Sequence, residues 1–317
     1  MADELRPITP SDLPELFDLQ RRVEVHDNLP VVTPWEQFEE IKDDPSTDLA
    51  TDTVMVVRNG KAIGFGRVWH RPAEDGDLAR AFAIGSVDPA FRRQGVGSQI
   101  LRWTIERAKE SLATAPAHQE RFIRTHAYDF ETEAIALYQR HCLKPIRYFA
   151  ELIRPLTEPI PVPRIDGIDI VEWDSVRSEE ARELMNLAFR DHWGSTPIDQ
   201  ENWEHNLKST GSRLDVSYLA LSDDSVVGVS LNDHFPSARE ITGRVDGWIA
   251  SLGTHPTFRR RGIASALIET SCERFRLMGW DHAMIGVDSE NPTGAYGLYQ
   301  QLGFQPLYRQ IQHQLQV

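Results

Sequence analysis

A repeat governs what this chain can fold into. Val87-Asp-Pro-Ala-Phe-Arg-Arg-Gln-Gly-Val-Gly97 returns 167 residues later as Thr254-His-Pro-Thr-Phe-Arg-Arg-Arg-Gly-Ile-Ala264. Ala134-Ile-Ala-Leu-Tyr-Gln139 returns 161 residues later as Ala295-Tyr-Gly-Leu-Tyr-Gln300. Two matches in one order, at nearly one offset, indicate a duplicated domain. With 317 residues in all, each copy is long enough to bury a core.

The boundary is marked by Pro155, Pro159, Pro161 and Pro163, a run that cannot be helical and reads as an extended linker. We therefore expect an N-terminal domain over 1–156, a linker over 157–164 and a C-terminal domain over 165–317. In the second copy, 168–172 reads as a strand and 178–190 as a helix. Val216–Leu221 and Val226–Leu231 read as a hairpin around Asp223-Asp224, and Trp248–Thr254 as the next strand. A long amphipathic helix runs from about Gly262 to Met278, with Gly279 as its C-cap. A strand over Ala283–Val287, a helix over 293–302 closed by Gly303, and a strand over Phe304–Gln310 follow. In the first copy, Arg58-Asn-Gly-Lys61 is a type I′ hairpin signal. The pattern is α+β, with a mixed central sheet flanked by helices in each copy.

Net charge is −14, so the chain has no basic footprint for nucleic acid and any anionic ligand needs a local cluster of positive charge. No apolar run is long enough to span a membrane, and the start MADELRPITPSDL has no signal-peptide pattern. Cys142 and Cys272, one per copy, cannot make a disulfide framework and fit a reducing cytoplasm. There is no H-E-x-x-H or C-x-x-C to suggest a metal.

Arg259-Arg260-Arg261-Gly262-Ile263-Ala264 and Arg92-Arg93-Gln94-Gly95-Val96-Gly97 each follow an apolar strand and open a helix. A helix start offers unpaired N–H groups and a partial positive charge; glycine lets a phosphate approach, and arginine adds bidentate donors. Neither segment is a G-x-x-x-x-G-K-[ST] loop, and Gly95-Val-Gly97 lacks the third glycine of a dinucleotide fingerprint. An Arg-rich turn capping a helix is the plainer explanation of one copy; its recurrence, each time with a Tyr helix downstream, argues for anion binding.

These segments resemble the GNAT acetyltransferase superfamily, whose [QR]-x-x-G-x-[GA] motif occurs in both copies. The superfamily's Asn-x-x-Ala-x-x-Leu-Tyr-x-x-x-Gly-Phe segment is matched by Asn291, Ala295, Leu298, Tyr299, Gly303 and Phe304. The tandem arrangement is similar to that of mycothiol synthases. The resemblance implies acetyl-CoA as cofactor, with pyrophosphate on Arg259–Ser265 and pantetheine along Leu252, Gly253 and Thr254. It implies a corresponding site at Ser86, Val87 and Arg92–Ser98 in the first copy, Asn291 beside the cofactor, and an acceptor pocket near His192-Trp193-Gly194 and Trp203.

Acetyl transfer from a thioester needs a neutral amine, a polarised carbonyl and a proton for the leaving thiolate. Freeing an alkyl ammonium of pKa ~10.4 at neutral pH costs roughly 4–5 kcal/mol. Tyr299 resembles the family's proton donor to the thiolate. Family members carry a glutamate base fourteen residues before the motif glycine, where this chain has Trp248. Asp246, on the same face of that strand, is the substitute we favour, with Glu240 and His234 behind it. The first copy has Phe130 in place of Asn291 and His141-Cys-Leu143 in place of Leu302-Gly-Phe304. We expect it to bind CoA without acetylating. The expected activity is transfer of acetyl to the primary amine of a small molecule by direct attack; a noncatalytic CoA-binding sensor or scaffold is the alternative.

Overall fold

The computed structural model describes residues 3–29, 32–70, 78–190, 192–193, 195, 197–290 and 294–317. They form two compact units: Met1–Tyr148 with Arg309–Val317, and Phe149–Tyr308.

The first unit contains β1 (Glu4–Arg6), β2 (Thr53–Arg58), β3 (Lys61–His70), β4 (Leu78–Val87) and β5 (Glu120–Tyr128). Its helices are α1 (Leu13–Asp27), the short α2 (Trp35–Glu39) and α3 (Leu49–Asp52), then α4 (Val96–Leu112) and α5 (Thr132–Arg140). The β2–β3 turn has Asn59 at φ 53° and Gly60 at φ 77°, the left-handed pair that a type I′ hairpin requires. Neighbouring strands pair antiparallel, except β4 and β5, which are parallel.

The second unit contains β6 (Lys144–Pro155, entering at Phe149), β7 (Asp169–Glu172), β8 (Tyr218–Ser222), β9 (Ser225–His234), β10 (Asp246–Thr254) and β11 (His282–Asp288). Its helices are α6 (Ser178–Phe189), α7 (Gln200–Leu207), the short α8 (Arg239–Thr242), α9 (Ile263–Leu277) and α10 (Ala295–Gln301). Asp223 and Asp224, at φ 47° and 64°, make the β8–β9 turn as expected. Here β10 and β11 pair parallel, and the other pairings among the described residues are antiparallel. A last strand, β12 (Gln305–Gln316), enters the first unit at Arg309.

The compact units differ from the two sequence halves. Gln310–Gln316 of β12 pairs antiparallel with Tyr128–Phe122 of β5. Phe149–Pro155 of β6 pairs antiparallel with Asp288–His282 of β11. Each half therefore gives its final strand to the unit built mainly by the other. The two strands fill equivalent places, each beside the second member of a parallel pair. Pro155 ends β6 and residues 157–164 are neither helix nor strand, but they are not a free spacer. Leu156 and Ile160 are buried in the second unit's core, and the Ile160 amide donates to Glu273 at 2.9 Å.

The core of the second unit lies between its sheet and the helices α9 and α10, with Ile249, Ile285 and Leu152 on the inner face against Ile268 and Phe275. Helix α6 packs on the opposite face, where Met185 closes on Gly253. At the ends of the Tyr helices the copies diverge. Gly303 takes φ 84° after α10, but Cys142 takes φ 65° after α5. Left-handed backbone costs an L-residue roughly 1–2 kcal/mol, and the freedom glycine adds to the unfolded chain offsets roughly 0.4–1 kcal/mol of the relief. Cys142→Gly should stabilise the first unit by about 0.5–1 kcal/mol, a rise of about 2 °C in calorimetry. A fall would mean that the cysteine side chain holds that corner.

Candidate active site

Both cradles have one backbone shape. Arg93 and Arg260 sit at φ 60° and 63°, and Gly95 and Gly262 at φ 89° and 84° as the residues before α4 and α9. Among the described residues neither helix start receives a side-chain cap, and its first amides have no intrahelical partner. A side chain at Gly95 would meet nothing within 4 Å, and one at Gly262 only Ile165 at 3.7 Å. Glycine here is thus favoured by the left-handed turn rather than by packing, and it leaves open space above the backbone.

Their electrostatics differ. Arg92 makes two bonds to Asp27, at 2.7 and 2.6 Å, which neutralise it. Arg93 lies 3.9 Å from Glu133, and Gln94 is held by Arg58 at 2.6 Å. In the second cradle Arg259 donates to the Ala188 carbonyl at 2.9 Å, and Arg261 reaches the Asp166 carbonyl at 3.4 Å. Among the described residues, none of Arg259, Arg260 and Arg261 pairs with a carboxylate. Three guanidiniums without a carboxylate partner among the described residues, beside a helix start, give the second segment the greater local positive charge. Ile263, Ala264 and Ser265 form its first turn, as Val96, Gly97 and Ser98 do in the first.

Beyond each cradle the parallel strands part. Pairing of β4 with β5 ends at Phe82 and Arg124, and that of β10 with β11 at Ile249 and Ile285. Ala83–Val87, including Ser86, and Ala250–Thr254, including Leu252, Gly253 and Thr254, are left with one open edge that an extended ligand can join. In the first unit the opening is a cleft of about 840 Å³, running past Arg92, Gly95 and Ser98 to Leu137 and Tyr138. The copies then differ in register. The β3–β4 ladder is continuous, whereas β9–β10 shifts between Ile249 and Ser251, leaving Ala250 as a bulge. A bulge re-aims backbone donors, and this one lies where the strands part.

Tyr299 on α10 packs in the same cluster as Ile249 and Ile285, the last paired residues before the opening. It is 8% exposed, and burial pushes its phenol up to about 12. Among the described residues its hydroxyl has no hydrogen-bond partner. Tyr138, also pushed up to about 12 by burial, is occupied: its hydroxyl donates to the His126 carbonyl at 3.1 Å and lies 3.4 Å from the Thr125 hydroxyl.

The candidate bases are placed less favourably. Asp246 starts β10, where Arg244 binds it at 3.2 and 3.0 Å and His282 lies 3.4 Å away. It lies four positions before the bulge, about 13 Å along a strand. His234 stacks on Trp280 at 4.2 Å and contacts the Asp246 carbonyl at 2.9 Å, a structural role. Glu240 is exposed on α8. Trp203 is core: its indole donates to Ser178 at 3.0 Å. Trp193 packs against Phe149 at 6.2 Å, and His192 against Phe189 at 5.3 Å. Asn291 and Gly194 lie outside the described residues.

Sequence reasoning missed Glu151. It comes from β6, in the first half of the sequence, yet it faces Gly286 of β11 in the second unit. Both carboxylate oxygens lie 3.1 Å from where a Gly286 side chain would begin. Oε2 is buried with no hydrogen-bond partner among the described residues, and burial raises this acid to about 7. The one sequence signal was a charge inside the apolar run Tyr148-Phe-Ala-Glu-Leu-Ile153.

Comparison with known proteins fits this architecture. The family model described as Acetyltransferase (GNAT) family matches residues 178–304, and one described as Acetyltransferase (GNAT) domain matches residues 50–141. The chain is similar to a mycothiol acetyltransferase of Salinispora tropica, at 28% identity over 73% of this chain and 71% of that protein. It is also similar to one of Thermobispora bispora, at 26% identity over 69% and 70%. Among solved structures, a GCN5-related N-acetyltransferase from Sphaerobacter thermophilus aligns with a TM-score of 0.77 at 24% identity, covering 99% of this chain and 95% of that one. A tandem GNAT protein from the clavulanic acid biosynthesis pathway aligns at 0.74 with 14% identity, covering 99% and 98%.

Proposed function

The chain belongs to the GNAT acetyltransferase family, and from that premise we propose that its second half moves acetyl from acetyl-CoA to the primary amine of a small molecule by direct attack. The observation that carries this reading is the open edge Ala250–Thr254, set between an uncompensated arginine cradle and a Tyr299 hydroxyl with no partner among the described residues. The uncapped start of α9 and Arg259–Arg261 suit a pyrophosphate, and the open edge suits the amide groups of pantetheine. When bound, acetyl-CoA supplies the activated acyl group.

The protein's own groups then have distinct tasks. The bulge at Ala250 turns backbone donors toward a thioester carbonyl at the parting of the strands, where negative charge develops as the amine attacks. Tyr299 gives a proton to the departing sulfur. The acceptor enters from the α6 face, beside Trp193 and Phe149. The relatives named as mycothiol acetyltransferases make a small-molecule thiol-amine a sensible member of an acceptor panel. Trp248, in place of the family's glutamate, argues for testing amines well beyond it.

The first half reads as a CoA-binding domain without chemistry. It keeps a cradle and a cleft, but its arginine is neutralised by Asp27 and its tyrosine is engaged.

Titration calorimetry of the full chain with acetyl-CoA tests the cofactor assignment. Gly262→Asp puts a side chain and a negative charge at the second cradle. The tighter site should weaken at least tenfold, about 1.4 kcal/mol. Unchanged affinity in a folded variant would reject this cradle as the pyrophosphate site. A second, weaker isotherm component that survives Gly262→Asp is expected from the first half, through Arg92–Ser98.

A further inference from the structure

We propose that Glu151, carried into the second unit on the exchanged strand β6, is the general base that deprotonates the acceptor amine. The inference rests on the second unit being the acetyltransferase site. Its warrant is positional. Residues alternate between faces along a strand. Leu152 pairs with Ile285, which pairs with Ile249, and all three face α9 and Tyr299. One residue along, Glu151 and Gly286 face the other side, shared by Phe149 and its neighbour Trp193. Gly286 is the first residue of β11 beyond the pairing with β10. With no side chain there, the Glu151 carboxylate lies over the backbone of β11. Neighbouring strands are ~4.8 Å apart, so it stands about one strand spacing from the free edge at Ala250. Acid and base then approach the opening from opposite faces of the sheet, so the attacking amine and the departing sulfur are served by different groups.

The first unit supplies an internal comparison. There Leu315 pairs with Ile123 as Leu152 does with Ile285. On the face away from Ile123, the pairs that straddle the end of the β4–β5 pairing are Gln314 with Arg124, bonded to each other at 2.9 Å, and Gln312 with His126. Neither pair holds a carboxylate. The copy with an occupied tyrosine thus also lacks the base.

The proton count closes. An ammonium acceptor gives one proton to the Glu151 carboxylate, and the nitrogen lone pair forms the C–N bond to the thioester carbon. The adduct collapses with cleavage of the C–S bond, and the sulfur takes the Tyr299 proton. The second nitrogen proton returns to Tyr299 through water, and Glu151 releases its own to solvent. The sum is ammonium plus acetyl-CoA giving amide, CoA thiol and one proton.

Burial without a counter-charge sets Glu151 near 7, so rate should rise with pH through that value as the carboxylate ionises. The other acids on this face of β10 and β11 are Asp246, bound by Arg244, and Asp288, which accepts the Glu290 amide at 3.0 Å. β6 itself offers Phe149 and Ile153 on this face, and the segment over Phe149 carries Trp193 and His192.

The test is thiol release from acetyl-CoA by the full chain, with a panel of primary amines and with water as acceptor. Glu151→Gln should lower kcat at least tenfold for amines and for water. It should flatten the rise near pH 7 and leave acetyl-CoA affinity within twofold. Gly286→Ala, which displaces the carboxylate by intruding at 3.1 Å, should lower kcat in the same sense. The fold should survive Glu151→Gln, because the lost charge has no ion-pair partner among the described residues, and an undiminished melting temperature checks this. A folded Glu151→Gln variant with wild-type kcat and pH profile would overturn the inference while leaving the acetyltransferase reading intact. No thiol release from the wild-type chain with any acceptor would overturn both.

Discussion

Tyr299→Phe should reduce turnover by 10²–10⁴ while acetyl-CoA affinity changes by no more than about twofold. The ring remains to pack against Phe304, 6.3 Å away, and the hydroxyl leaves no partner stranded among the described residues, so the fold should hold. The magnitude follows from the chemistry. A thiol leaving group has pKa ~8.5, and burial pushes the phenol up to about 12. Full proton transfer to the free thiolate is uphill by about 3.5 pKa units, roughly 5 kcal/mol. Tyr299 therefore keeps its proton until the C–S bond is breaking. It stabilises the transition state rather than the bound cofactor, and the loss belongs in kcat. The phenol stays protonated at all ordinary working pH, so Tyr299 should contribute no alkaline limb below about pH 10. Tyr138→Phe, in the occupied site, should cost less than tenfold. A large loss from Tyr138→Phe and none from Tyr299→Phe would exchange the roles of the two copies. Small losses from both would assign the thiolate's proton to water.

Removing Arg309–Val317 should damage the unit to which those residues do not belong by sequence. They carry the part of β12 that pairs with Phe122–Tyr128 of β5. His313 is 1% exposed, and Leu315 packs on the cluster around Ile123 and Leu101. Burying an aliphatic side chain stabilises by roughly 1.5–3 kcal/mol. Losing Ile311 and Leu315 together with a ladder of hydrogen bonds should destabilise the first unit by about 4 kcal/mol or more. In amide hydrogen exchange, β4 and β5 should lose protection while β10 and β11 keep theirs. Protection lost from β10 and β11 alone would mean that β12 completes its own half.

Much of the fold was legible from the sequence, for local reasons. The hairpins at Asn59-Gly60 and Asp223-Asp224, the helix starts at Gly95 and Gly262, and the caps at Gly279 and Gly303 are set by residues within one turn of where they act. The cradles could be read because arginine and glycine spacing is a property of one segment. β12 was drawn to stop at Gln310 because the following Gln-rich stretch has little apolar content. Its alternation of Ile311, His313 and Leu315 makes sense only against β5, nearly two hundred residues earlier in the chain. Glu151 was invisible for the same reason. The family's glutamate was sought on β10, and Asp246 was chosen there for its parity, but an arginine holds it. What brings a carboxylate to the opening is a pairing between β6 and β11 that spacing along the chain does not encode.

The Ala250 bulge has a consequence for how duplicated domains diverge. Between Ile249 and Ser251, β10 has one residue more than the β9 segment it faces, while β3 and β4 match residue for residue. The two copies thus differ by a change in length, gained on one strand or lost from the other, as well as by substitutions. Mutational scans that only exchange side chains cannot convert one register into the other, since no such exchange adds or removes a residue of the strand. The shortest genetic step between a continuous ladder and an edge with donors turned outward is an in-frame insertion or deletion of one codon. An evolutionary experiment that seeks to awaken the first copy, or to silence the second without touching its tyrosine, would therefore need a library of single-codon indels in β3, β4, β9 and β10.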